Sequence, residues 1–233
     1  MWAGPSRAAA PSSRSRRGDD SRSAASAGRG LAAAGRGTMT ADEALVALVT
    51  ALESLAIPYM VSGSLATNVY GVPRATDDGD FVVELPPGRK IGDIVAALPD
   101  TMRLEPQTRF ETVTASRMHV CTVTDSAFRI ELFLLTDDPY DRERFGRRYR
   151  ATLPFGPVWM PTVEDVIVTK LLWAVRAGRL KDEDDCRGVI ALQGNSVDWN
   201  YVYSWCDRHG TRSLLDEIRR SIPSDFDDDD AGP

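Results

Sequence analysis

The sequence predicts an α+β protein, a small mixed sheet flanked by helices and followed by a helical C-terminal subdomain. Three observations lead there. Up to about residue 160, apolar residues alternate between helical spacing and the period of two expected of strands. "RMHVCTVTD" and "FRIELFLL", separated by the turn "DSA", read as an antiparallel hairpin. After Pro161 only helical spacing remains.

The elements follow in order. In "TADEALVALVTALESLAIPY", Thr40 and Glu43 fit a capping box, Leu45, Leu48, Val49, Leu52 and Leu55 share one helical face, and Pro58 is expected to end the helix. "YMVSGS" is a short buried strand running into a Gly-Ser turn, and "SLATNVYG" is a short helix closed by Gly71. "GDFVVEL" is a strand, and "PPGRK" turns the chain into an amphipathic helix over about 90–98. In "TVEDVIVTKLLWAVRAG", Thr162 and Asp165 fit a cap, and Val163, Val166, Ile167, Lys170, Leu171 and Ala174 form one face.

Composition sets the domain limits. Hydrophobic residues at 42% and charged residues at 27% suit a globular protein. Residues 1–38 hold seven arginines, no lysine and mostly Ala, Ser, Gly and Pro, too little apolar side chain to offset the entropy of ordering. This segment is expected to be a disordered extension, with Met39 as an alternative start. Residues 223–233, with "DFDDDD", are expected to be an acidic disordered tail. Between them lie two expected units, 39–160 and the helical subdomain 161–222.

Charge and cysteine content exclude some roles. The formal net charge is −6 although seven arginines sit in the first 38 residues, so the body is no general nucleic-acid binder held by phosphate neutralisation. The strip "DRERFGRRYR" at 141–150 reads either as a solvated helix face of alternating sign or as a local polyanion contact. No stretch approaches the roughly 20 apolar residues needed to span a bilayer, so no membrane partner is expected. Cys121, Cys186, Cys206, His119 and His209 show no metal-ligand spacing, and so few cysteines suit a reducing cytoplasm.

Chemistry centres on "DDGD". Alternation along the strand places Asp78 and Asp80 on one face and Phe81, Val83 and Leu85 on the other, with Asp77 as lead-in. Two carboxylates side by side repel unless a cation lies between them, and Mg²⁺ takes carboxylate and phosphate oxygens. The rival reading is a polar turn, which would not need the apolar strand that follows. Glu131 interrupts the apolar run "FRIELFLL"; it either faces water from an edge strand or joins the aspartates as a third carboxylate, for metal or proton transfer. Gly63 and Ser64, where strand turns into helix, are placed to hold phosphate through free backbone N–H groups and a hydroxyl. Lys170 either snorkels or points inward at an anion, and Arg74 is a second candidate cation.

Together "SGS", "DGD" and "IEL" resemble the signature of the minimal nucleotidyltransferase (DNA polymerase β-like) superfamily. "GVPRATDDGDFVV", "PTVEDVIVTKLLWA" and "RLKDEDDCRGVIAL" are similar to its bacterial AbiEii-type group, which includes type IV toxin–antitoxin nucleotidyltransferases; the resemblance spans about 41–210. It implies the nucleotidyltransferase fold and transfer of a nucleoside monophosphate from an NTP such as ATP to an acceptor hydroxyl. Two Mg²⁺ ions would be held by Asp78, Asp80 and Glu131, and the nucleotide by Gly63, Ser64, Arg74, Lys170 and Asp182, with Asp185 nearby. Acids at 182 and 185 read equally well as a solvated helix start.

The implied acceptor is RNA, plausibly tRNA, with a cognate antitoxin protein as partner. The alternatives are a small molecule such as an aminoglycoside, a partner protein, or a non-catalytic binding or antitoxin module on the same fold. The chain departs from the resemblance twice: the third carboxylate is Glu where many relatives have Asp, and Gly79 stands where Ile, Leu or Val is usual. The absent side chain implies lost burial, so Gly79→Ile is expected to raise the melting temperature.

Overall fold

The protein is described here by a computed structural model covering residues 38–223. The expected extension and acidic tail therefore lie, but for Thr38 and Pro223, outside the described residues. Helix α1 (Ala41–Ser54) opens with the expected capping box, Thr40 and Glu43 satisfying each other's backbone N–H groups. It stops before Pro58, because Ala56 takes a left-handed φ of 51° and Ile57 N–H closes back on Leu52 O at 2.9 Å. Strand β1 (Tyr59–Val61), helix α2 (Gly63–Tyr70) and strand β2 (Asp78–Val83) follow. After helix α3 (Ile91–Ala96) come β3 (Met102–Leu104), β4 (Arg109–Glu111), β5 (Ser116–Val123) and β6 (Arg129–Leu134).

These strands make one sheet in the order β1-β2-β6-β5-β3, with β4 also on β5. Only β2 and β6 run parallel; the other pairs are antiparallel, so the sheet is mixed as expected. One consequence concerns Glu131. β6 lies in the middle of the sheet, which excludes the edge-strand reading of that residue.

Helix α4 (Pro139–Gly146) leads into a second, two-stranded sheet, β7 (Tyr149–Leu153) with β8 (Gly156–Met160). The sequence reading passed over this hairpin and took 141–150 as a helix face or a basic strip, and both views need correction. Arg144 is buried against Asp141 at 2.9 Å. Arg147 donates to Asp165 and Glu164 at 3.2 and 3.1 Å and lies 3.8 Å from the centre of the Tyr201 ring. Arg148 stacks on Phe145, and Arg150 pairs with Glu53. The arginines fasten α4 and β7 to the body.

Beyond Met160 the described residues are mainly helical: α5 (Val163–Ala177), α6 (Leu180–Gln193), α7 (Trp199–His209) and α8 (Arg212–Ser221). The predicted α5 stripe is buried from Val166 and Ile167 to Leu171 and Ala174. Gly178 in the left-handed region (φ 62°) ends α5 and lets α6 fold back beside it. The core joins α1, α5, α6 and the sheet through side chains such as Leu48, Phe81, Leu132 and Ile167. Among the described residues no helix is long and apolar enough to cross a membrane.

Candidate active site

The parallel pairing of β2 with β6 assembles the carboxylates. Its register sets Asp78 opposite Arg129 and Asp80 opposite Glu131. Because partners in a ladder share a face, Asp78, Asp80 and Glu131 come to one side of the sheet, and Phe81 and Val83 go to the core on the other. The β1–α2 turn lies directly above. Ser62 N–H donates to Asp80 O at 2.8 Å, and Gly63 (φ 55°) approaches so closely that a Cβ there would stand 1.7 Å from Asp80 Oδ2. Glycine is required at this point both for the left-handed backbone and for the approach.

These groups open onto a cleft, which Gly63, Ser64, Lys170 and Asp182 also line. Burial raises the Asp80 carboxyl to about 7, with Glu131 and Asp78 pushing the same way against Lys170 and Arg179. Burial, then Asp78, also raises Glu131. Arg129 gives Asp78 a long contact at 3.7 Å. Three carboxylate groups on a rigid sheet, two of them disfavoured as anions, form an all-oxygen donor set suited to a hard divalent cation. Among the described residues, no three His, Cys, Asp or Glu side chains are already drawn together as a closed ligand set. The expected triad therefore shares a face and a cleft without being closed around one point.

The expected phosphate cations stand differently from the sequence reading. Lys170 does not snorkel: its ammonium points inward at anions, Nζ donating to Asp182 Oδ1 at 2.8 Å and Asp185 Oδ2 at 2.7 Å. Arg74 lies outside the cleft lining and holds Asp185 through Nε and Nη2 at 2.9 and 3.0 Å. Burial opposes ionisation of Asp185, yet these two cations together hold its carboxyl below the usual range. Asp182 and Asp185 are thus partners in a buried ion network, and the reading of them as a solvated helix start is corrected. Asp182 Oδ2, buried and without a hydrogen bond, also has Arg179 Nε 3.2 Å away.

Among the cleft residues that the sequence reading missed are Trp173, Arg179 and Lys181. Arg179 Cζ lies 4.9 Å from the centre of the Trp173 ring, and its charge reaches both Asp80 and Glu131. Lys181 forms no ion pair among the described residues. A partial signal was present: Gly178 stops one helix, which puts the "RLK" that follows at the start of the next.

Gly63 offers a direct check on this geometry. Gly63→Ala is expected to lower the melting temperature by about 2–8 °C, from about 1–2 kcal/mol of left-handed strain, and to force the Asp80 side chain aside. An unchanged melting curve would contradict the close approach.

No family model matches the chain, and no curated protein sequence matches it. Solved structures do. The solution structure of the antibiotic-resistance factor ANT(2'')-Ia superposes with a TM-score of 0.51 at 15% identity, covering 77% of this chain and 96% of that one. The crystal structure of ANT(2'')-Ia with adenylyl-2''-tobramycin gives 0.50 at 16% identity, over 72% and 96%. An antigenic nucleotidyltransferase-like protein from Paracoccidioides brasiliensis gives 0.50 at 20%, over 78% and 94%. With its mixed sheet, the carboxylate face on β2 and β6 and the Gly-Ser turn above it, the chain has the nucleotidyltransferase fold.

Proposed function

We propose that the protein is a Mg²⁺-dependent nucleotidyltransferase that moves a nucleoside monophosphate from an NTP to an acceptor hydroxyl. The observation that carries this reading is the in-register placement of Asp80 beside Glu131, with Asp78 on the same face, beneath the Gly63–Ser64 turn in an open cleft.

Asp78, Asp80 and Glu131 would hold the metal ions, which supply alignment of the α-phosphate and neutralisation of its developing charge. The α2 N-terminus at Gly63 and the Ser64 hydroxyl bind the β- and γ-phosphates. Lys181, which forms no ion pair among the described residues, adds positive charge, with Arg179 shared between the cleft and Asp182, whereas Lys170 and Arg74 are bound to Asp182 and Asp185. Glu131, raised by burial, is suited to receive the acceptor's proton. The acceptor oxygen forms its bond to the α-phosphorus as the bridging P–O bond breaks, and pyrophosphate leaves with that electron pair.

For the acceptor, charge favours a small polyhydroxylated cation such as an aminoglycoside. The cleft is rich in carboxylates, and the arginines of 141–150 that would have held RNA are engaged in ion pairs and stacking. A second reading has its own support. Trp173 with Arg179 and Lys181 offers an aromatic platform beside cations, suited to the 3′ end of a tRNA, as in the toxin-like relatives with a cognate antitoxin that the motifs resemble.

Incubation with Mg²⁺, each radiolabelled NTP, and either aminoglycosides, total tRNA or no acceptor tests both. Label is expected on an aminoglycoside. Label on tRNA selects the second reading, and none on any acceptor with any NTP overturns the transferase assignment.

A further inference from the structure

Arg74 stands in the loop before β2, where its charge alone would suggest a direct phosphate contact. Its guanidinium is otherwise committed. Nε and Nη2 fork onto the two Asp185 oxygens, and Nη2 also donates to Ser64 Oγ at 2.8 Å. The Arg74 backbone is clamped as well: Asn68 Nδ2 donates to Arg74 O at 2.7 Å, and Arg74 N–H donates to Asn68 Oδ1 at 3.1 Å. Lys170 also donates to Asp185 Oδ2, at 2.7 Å. A chain of charges thus runs from α5 through α6 to the Gly-Ser turn.

A serine hydroxyl has one proton to give and two lone pairs to offer. In Ser64, Arg74 engages a lone pair, and among the described residues the hydroxyl donates to no protein atom. Ser64 is 8% exposed and lines the cleft, so its proton has the cleft as its outlet. We infer that Arg74, fixed by Asp185, is a positioning residue that aims the Ser64 hydroxyl proton at the phosphate oxygens of a bound nucleoside triphosphate.

Arginine suits this task because one rigid planar fork can grip a carboxylate and still present an N–H to the hydroxyl. Lysine keeps the charge and loses the fork. Arg74→Lys therefore separates aiming from simple attraction of phosphate.

The inference rests on the nucleotidyltransferase reading, and the test keeps the two apart. Binding of the α,β-methylene analogues of the four NTPs, with Mg²⁺, is measured by calorimetry for wild type, Ser64→Ala, Arg74→Lys and the double variant. Each single change is expected to weaken the best analogue about tenfold, and the double variant to be no weaker than Ser64→Ala alone. Asp185→Asn, which loosens the grip on Arg74, is expected to show the same dependence on Ser64, and it carries the cycle if Arg74→Lys does not fold. Multiplied losses, about a hundredfold in the double variant, would give Arg74 a general packing role and overturn the inference; so would unchanged affinity in both Arg74→Lys and Asp185→Asn. Wild-type binding to none of the analogues would remove the nucleotide reading itself, and the positioning role with it.

Discussion

Asp80→Asn is expected to lower nucleotidyl transfer by more than about 100-fold, since even groups that only support a metal ligand cost 10–100-fold when lost. The same change is expected to stabilise the protein when no divalent ion is present. The Asp80 carboxyl is raised to about 7 by burial and by Glu131 and Asp78, against about 3.9 for an unfolded aspartate. A group raised in this way leaves stability intact below about pH 4 and withdraws it as pH climbs to and through 7. The loss is on the order of a few kcal/mol at pH 8. Asparagine has the same shape and cannot ionise. In EDTA, the variant should therefore melt close to wild type at pH 4 and clearly above it at pH 8. Added Mg²⁺ should raise the wild-type midpoint at pH 8 far more than the variant's. A variant that melts below wild type at pH 8 without metal would show that the carboxylates on β2 and β6 do not repel as described.

Gly79→Ile is expected to destabilise the protein by about 1–3 kcal/mol, the usual cost of overfilling a packed core. The melting temperature should fall by about 2–12 °C for a domain of this size. This reverses what the sequence suggests. A Cβ on Gly79 would lie 2.9 Å from Leu45 Cδ2, 3.2 Å from Phe128 Cζ and 3.4 Å from Leu65 Cδ1. The space a branched side chain would occupy is already filled from α1, α2 and the loop before β6. Gly79→Ala should be milder, because the nearest atom is the far end of a flexible leucine. The glycine is thus a fitted part of the strand, and it gives no structural ground for reading the chain as a disabled relative. A rise in melting temperature for Gly79→Ile would mean that Leu45 and Phe128 give way freely.

The two glycines show where sequence reading succeeds and where it fails. Gly63 could be read correctly because its demand is local: a strand turns into a helix within a few residues. Gly79 could not, because the side chains that fill its space come from Leu45, Leu65 and Phe128, which no spacing rule connects to it. Asp78, Asp80 and Glu131 were legible because a charged residue on an apolar strand breaks a simple alternation. Lys170 and Arg74 were legible as unusual positions, yet their carboxylate partners sit on another helix, so those ion pairs were not legible from spacing. The β7–β8 hairpin was missed because Arg150 lies over Trp159, its partner across the hairpin, while a one-letter reading counts only its charge.

The ion network linking Ser64 to Arg74, Asp185 and Lys170 has a consequence for biosynthesis. The ribosome delivers the Gly-Ser turn and the aspartates early, Glu131 later, and Asp185 later still, 111 residues after Arg74. Until α6 has emerged and docked, the Arg74 guanidinium has no carboxylate to grip, and the parallel β2–β6 pair must itself wait for the intervening strands. A nascent or prematurely ended chain would thus carry the Gly-Ser turn and the β2 aspartates without the α6 carboxylate that holds the Arg74 side chain against Ser64.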